Sequence, residues 1–171
     1  MIINKKQEVS IFDLSLGEDI DKKLIDYVHS IGDQQNRQTN VKASMTQWNI
    51  SSPEVDILKD VILDKFMLTK EWHEHKSRDF FYITNIWANS YKRGDYTTWH
   101  DHLPAYYSSV YFLKCDKYSA PLVFEGFRNV ITPKQGRLVL FPSTLMHKVP
   151  EQKKSSVRMT ISTNILGYGT D

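Results

Sequence analysis

Three histidines stand at spacings that suit a metal ion. His100 and His102, in the stretch NSYKRGDYTTWHDH, occupy positions i and i+2 of a segment rich in β-formers. In a strand this spacing turns both imidazoles to one face and Asp101 to the other. His147 follows the apolar run GRLVLFP, and an antiparallel neighbour strand would carry it opposite the pair. Three ligands drawn from two strands leave positions open on a first-row metal, which suits the binding of reactants rather than structural closure.

A second group of residues suits a carboxylate. Arg158 and Thr160, in the stretch VRMT, share a strand face by the same i, i+2 rule. A buried guanidinium fork beside a hydroxyl offers paired, charge-assisted hydrogen bonds. Asn89 and Tyr91, again two apart, add an amide and a phenol. The spacing therefore predicts a pocket with a metal on one wall and an anion holder on another.

The elements that must position these groups divide the chain by periodicity. Residues 1–15 read as extended. Ile20, Leu24, Ile25, Val28 and Ile31 recur at helical spacing before Gly32, and SSPEVDILKDVILDKF begins a second helix capped by Ser51 or Ser52, with Pro53 in its first turn. A short strand is expected over Ala43 to Trp48, and both helices are expected to cover one side of a sheet. From Phe80 the period changes to two, through FFYITNIWANSY, YYSSVYFL, PLVFEGF, RLVLFP and VRMTISTNI. KRGD, DKYSAP, TPKQG and EQKKSS mark turns between them. About seven short antiparallel strands without intervening helices predict a two-sheet barrel or jelly roll. The fold class is mainly β with N-terminal helices (α+β). We expect one domain over residues 1–171, in which 1–78 supports a β core over 79–171.

Composition sets the surroundings. A chain of 171 residues, 40% hydrophobic, suffices for one core, and a net charge of +2 implies no polyanionic partner. A single cysteine, Cys115, excludes an internal disulfide and a cysteine-built zinc site and fits a reducing compartment. The start MIINKKQEVSIF lacks the apolar core of a signal peptide, and no run approaches a membrane span. A soluble, cytoplasmic protein is expected.

Taken together, these residues resemble a family. Asn89, Tyr91, Gly94, His100 and His102, then Pro133, Gly136, Leu138, Phe141 and Pro142, then His147, and finally Arg158 with Thr160 follow a pattern similar to that of iron(II)- and 2-oxoglutarate-dependent oxygenases. The likeness runs over residues 82–165 and is greatest to oxygenases of this class from bacteriophages and marine bacteria, so the expected setting is a bacterial or phage-infected cell. The resemblance implies a double-stranded β-helix (cupin-like jelly roll) and an Fe(II) cofactor. It implies 2-oxoglutarate as co-substrate, held at its distal carboxylate by Arg158 and Thr160 with Asn89 or Tyr91 assisting, and O2 as oxidant. Decarboxylation to succinate would accompany oxidation of a substrate carbon. The family usually has a carboxylate where this chain has His102. A three-histidine site and a bulge that turns Asp101 inward both answer that departure; ordinary strand geometry favours His102 and leaves Asp101 to orient a neighbour.

Other residues carry blander readings. His73 and His75 fall on a polar helix end, where i, i+2 spacing separates side chains by about 200°, and His29 is a helix residue without a partner. Tyr106, Tyr107, Tyr111 and Phe112 read as core or pocket wall, and Trp99 as core or rim. Lys153 and Lys154 read as a solvated loop that can attract an acidic substrate. A nucleic-acid base demethylase would share the Asn89-to-His100 motif, but no basic stripe interleaved with aromatics accompanies it. A non-catalytic jelly roll has no need of His100, His147 and Arg158 together. The primary substrate and the oligomeric state are not readable from the sequence.

Overall fold

Helical spacing of apolar residues produces two amphipathic helices. The computed structural model describes residues 8–69, 77–154 and 157–168. Helix α1 (Glu18–Ile31) starts with Glu18, Asp19 and Asp21 in its first turn, where acidic groups complement the helix dipole, and it ends at Gly32 with φ 64°. Leu24 and Val28 are its buried residues. In α2 (Pro53–Phe66) the Ser52 hydroxyl accepts the Val55 N–H, Pro53 fills the first turn, and Val55, Leu58, Ile62 and Phe66 are buried. No helix among the described residues is long and apolar enough to cross a membrane.

The strands are β1 (Ser10–Asp13), β2 (Val41–Lys42), β3 (Ser44–Met45), β4 (Phe81–Tyr91), β5 (Tyr96–His100), β6 (Tyr107–Lys114), β7 (Val123–Phe124), β8 (Arg137–Pro142), β9 (His147–Val149) and β10 (Arg158–Gly167). They form a major sheet in the order β1-β8-β6-β10-β4-β3 and a minor sheet in the order β2-β5-β9-β7. From β4 to β10 each successive strand lies in the other sheet, and every named pairing is antiparallel. This alternation winds the chain into a double-stranded β-helix, the expected jelly roll.

Strand parity divides the core in two. One face of the major sheet packs Ile86, Ala88, Tyr107, Tyr111, Met159 and Ile161 against the two helices. Its other face packs Trp87, Tyr91, Val110, Phe112 and Phe141 between the sheets. The ambiguous aromatics thus separate: Tyr107 and Tyr111 lie on the helix side, Phe112 lies between the sheets, and Tyr106 is exposed.

Two expectations need correction. The single strand over Ala43 to Trp48 is instead two short strands in different sheets, because the chain crosses at buried Ala43 from β2 beside β5 to β3 beside β4. The PLVFEGF segment gives only Val123–Phe124, since Gly126 turns the chain with φ 76°. His73 and His75 lie outside the described residues.

Candidate active site

The minor sheet sets the histidines facing one another. In the β5–β9 pairing His100 lies opposite His147 and Thr97 opposite Val149. Three steps on β5 thus match two on β9, so β5 carries one extra residue. The bulge leaves Thr98 and Trp99 exposed and lets both Thr97 and His100 turn inward. His102, just beyond the strand, is fixed by its N–H to Ser143 O at 2.9 Å and by its carbonyl, which accepts Ala105 N–H at 3.0 Å. Asp101 is exposed, and its Oδ1 accepts the Leu103 N–H at 3.2 Å. The bulge in this strand precedes His100, and Asp101 stays outside.

The candidate ligand nitrogens of His100, His102 and His147 all lie within 4.8 Å of one another. His102 Nε2 and His147 Nε2 are 3.2 Å apart; two nitrogens each about 2.1 Å from one ion at nearly a right angle stand about 3 Å apart. The ring orientation also suits a metal. Nδ1 of His100 lies 2.8 Å from Thr98 O and Nδ1 of His147 lies 2.9 Å from Leu145 O. Each Nδ1–H therefore donates to a carbonyl and leaves Nε2 as a bare lone pair. Burial, with repulsion from the neighbouring imidazoles, depresses His102 to a pKa of about 2 and His147 to about 3. Burial also lowers His100. The cluster is neutral at physiological pH, the state a metal requires.

The major sheet supplies the opposite wall. Its register places Arg158 beside Tyr91, Thr160 beside Asn89 and Ser162 beside Trp87. All six side chains line one cavity with the three histidines, Thr97 and Val110, enclosing about 360 Å³ of empty space counting its open mouth. Arg158 is only 1% exposed. Its Nε donates to Ala120 O at 3.0 Å, and its guanidinium lies 4.7 Å from the Tyr91 ring and 5.1 Å from the Phe112 ring. Burial lowers its pKa. Tyr91 meets the guanidinium with its ring, and its hydroxyl pairs with Thr97 Oγ1 at 2.6 Å. Asn89 Nδ2 makes a long contact of 3.4 Å to Ser162 Oγ.

Among the described residues, the buried side-chain polar atoms without any partner are Trp87 Nε1, Asn89 Oδ1, Arg158 Nη1 and Arg158 Nη2. All belong to residues lining this cavity. Orphaned buried polar groups are costly and rare, so their confinement to one cavity marks a place built for a ligand.

The predicted residues His100, His102, His147, Arg158, Thr160, Asn89 and Tyr91 therefore meet in one place. Sequence reasoning missed three others. Trp87 and Ser162 continue the i, i+2 rows of Asn89 and Thr160, and that parity could have found them. Gln152, fully buried in the loop before β10, had no periodicity to reveal it. Its Oε1 accepts the Ala120 N–H at 2.7 Å and its Nε2 donates to Tyr118 O at 3.2 Å. Gln152 thereby fixes the residue whose carbonyl holds Arg158.

The interleaved sheets and the facing histidines define a double-stranded β-helix with a candidate metal centre at its minor sheet. Residues 125–164 match the family described as "Putative 2OG-Fe(II) oxygenase". Solved structures share the fold: the viral collagen prolyl hydroxylase of Paramecium bursaria Chlorella virus-1, in complex with 2OG (15% identity, 92% of this chain and 94% of that one, TM-score 0.70). A prolyl-4-hydroxylase from Pseudomonas putida is similar at 16% identity over 96% of this chain and 95% of that one, with TM-score 0.70. HygX from Streptomyces hygroscopicus, with nickel, 2-oxoglutarate and hygromycin B bound, is similar at 8% identity over 94% and 83%, with TM-score 0.70. No curated protein matches the sequence.

Proposed function

We propose that this protein is an iron(II)- and 2-oxoglutarate-dependent dioxygenase that hydroxylates a small molecule or a protein side chain. The confinement of every orphaned buried side-chain polar atom of the described residues to a cavity that also holds the histidine cluster carries this reading. The residues fit both iron(II) and 2-oxoglutarate. Three neutral imidazoles, with the Nε2 lone pairs of His100 and His147 left bare by their Nδ1 bonds, suit iron(II), with His100, His102 and His147 as ligands and exposed Asp101 outside the set. A buried guanidinium with two unused nitrogens suits a carboxylate, and a dicarboxylic 2-oxo acid would place its distal carboxylate there.

When bound, iron(II) with 2-oxoglutarate supplies oxygen activation, in which the co-substrate loses carbon dioxide to give succinate and a substrate C–H bond becomes C–OH. The chain's own residues bind, orient and exclude. Arg158 neutralises the distal carboxylate, Thr160 and Asn89 offer hydrogen bonds beside it, and Tyr91 and Phe112 clamp the guanidinium plane. Phe124 and Phe141, packed against the His147 ring at 5.8 and 4.8 Å, keep water from that side of the cluster. Residues 1–78 support the 79–171 core, and a cytoplasmic location fits the free thiol of Cys115.

Anaerobic titration tests the reading. The protein should bind one iron(II) and then, on addition of 2-oxoglutarate, develop a visible charge-transfer band that saturates at one equivalent. Iron binding without any response to 2-oxoglutarate would make this a metal-binding jelly roll of another kind.

A further inference from the structure

Trp87 is not needed by any part of the assignment above, yet it is the one uncharged donor stranded inside the cavity. The residue is 3% exposed and its Nε1–H has no partner. Its indole is pinned between two rings, 4.6 Å from Trp48 in an edge contact and 5.6 Å from His102. Along β4 the inward row runs Tyr91, Asn89, Trp87, and the facing row on β10 runs Arg158, Thr160, Ser162. Trp87 is thus four residues, about 13 Å of strand, from the level of Arg158. The stranded donors stand at opposite ends of one row, with the guanidinium beside Tyr91 and the indole beside His102.

Ligand chemistry follows from counting donors. Arg158 Nη1 and Nη2 and Trp87 Nε1 can only donate. Asn89 Oδ1 can only accept, but turning its amide over lets Ser162 Oγ–H donate to Oδ1 and frees Nδ2 as a further donor; the two orientations are set by hydrogen bonding alone. The stranded atoms at Arg158, Asn89 and Trp87 are then all donors, which a ligand with acceptors at both ends satisfies.

We propose that the Trp87 indole N–H holds the carboxylate at the metal end of the bound 2-oxo acid, so that the ligand is fastened at both ends, by Arg158 and by Trp87. This rests on the 2-oxoglutarate reading and adds a positioning residue to it. The contact fixes the rotation of the near carboxylate beside the histidines, a freedom that an anchor at the far end does not restrain.

The test separates the ends with two ligands, 2-oxoglutarate and pyruvate; pyruvate has the 2-oxo acid but no distal carboxylate. Calorimetry is carried out anaerobically on iron(II)-loaded protein. Trp87→Phe keeps an aromatic ring and removes the N–H, and it should weaken both ligands by the same factor, about tenfold to a hundredfold for one hydrogen bond to a charged acceptor. Arg158→Met should weaken 2-oxoglutarate and leave pyruvate unchanged. In 15N-labelled parent loaded with zinc(II), the Trp87 Nε1–H resonance should move downfield on adding pyruvate, a readout that needs no variant. Parent-like pyruvate affinity in Trp87→Phe, or an indole resonance that pyruvate does not move, would overturn the proposal. A parent that binds neither ligand would instead overturn the 2-oxoglutarate reading beneath it.

Discussion

Replacing Arg158 by methionine should move stability and binding in opposite directions. The ligand-free protein buries a guanidinium whose Nη1 and Nη2 have no partner, and an ion without a partner costs several kcal/mol to desolvate. Against that stand the Nε bond to Ala120 and the two ring contacts, together about 3–5 kcal/mol, of which about 1 kcal/mol returns as sulfur–aromatic packing. The expected net is a gain of about 1–3 kcal/mol for the ligand-free protein, or about 2–12 °C in Tm for a chain of this size. Binding should suffer the reverse: losing one partner of a buried charge pair costs about 2–5 kcal/mol, roughly a thirtyfold to several-thousandfold loss of 2-oxoglutarate affinity. Thermal unfolding of the iron-loaded proteins, with and without 2-oxoglutarate, reads both effects. The parent gains about 2.7 kcal/mol at a ligand concentration of 100 times its Kd and the variant about 0.9 kcal/mol or less, so adding ligand narrows the variant's lead by roughly 2–2.7 kcal/mol. A variant less stable than the parent without ligand, yet equally stabilised by 2-oxoglutarate, would refute the account of Arg158.

His102→Ala should abolish stoichiometric iron binding while Asp101→Ala leaves it within about threefold of the parent, since Asp101 is exposed and bonded to its own loop; metal analysis after gel filtration decides, and the opposite order would restore the carboxylate ligand. The histidine shifts give a stability profile: His102 near 2 and His147 near 3 stay neutral when folded, whereas an unfolded histidine protonates below about 6.5. Their contribution is therefore whole above about pH 6.5 and is lost as pH falls, roughly 2–3 kcal/mol for the pair between pH 7 and 5.5; urea titrations of metal-free protein that show no such loss would contradict it. Those two rings carry no protons to release, so calorimetry of metal binding in two buffers of different ionisation enthalpy should show almost no proton release from them at pH 6. Gln152→Met should weaken 2-oxoglutarate about fivefold to thirtyfold by loosening Ala120 under Arg158, while iron and pyruvate affinities hold; equal losses for both 2-oxo acids would make Gln152 a general scaffold residue.

Much of this site was legible because strand parity is a strict rule. Arg158 with Thr160 and Asn89 with Tyr91 follow from i, i+2 spacing within strands, whereas His102, the expected strand partner of His100, lies just past the end of β5 and is held there by backbone bonds to Ser143 and Ala105. The helices were legible from apolar period and from Ser52 and Pro53. Parity fails where a strand gains a residue: the bulge before His100 turns in both Thr97 and His100, residues of opposite parity, and no residue type there announces it. Gln152 lay outside the rule because it acts through the Ala120 backbone. The crossing at Ala43 was hidden because two residues in each of two sheets look, in sequence, like one strand.

The pairing of β1 with β8 has a consequence for the order of events during synthesis. Ser10 lies opposite Leu140 and Asp13 opposite Arg137, and Asp13 is bonded by Lys134 and Arg137. At about 5–20 residues per second, a ribosome needs roughly 6–25 s to make the chain between the two strands. During that interval β1 waits without its partner. Its shortness and its ends, Ser10 and Asp13, make it a poor template for stray pairing. Then β8 emerges with Leu138, Val139, Leu140 and Phe141 in a row, the kind of segment that aggregates when left at an edge, and it finds β6 on one side and β1 on the other. The most hazardous strand of the major sheet is thus made late, between two neighbours that precede it.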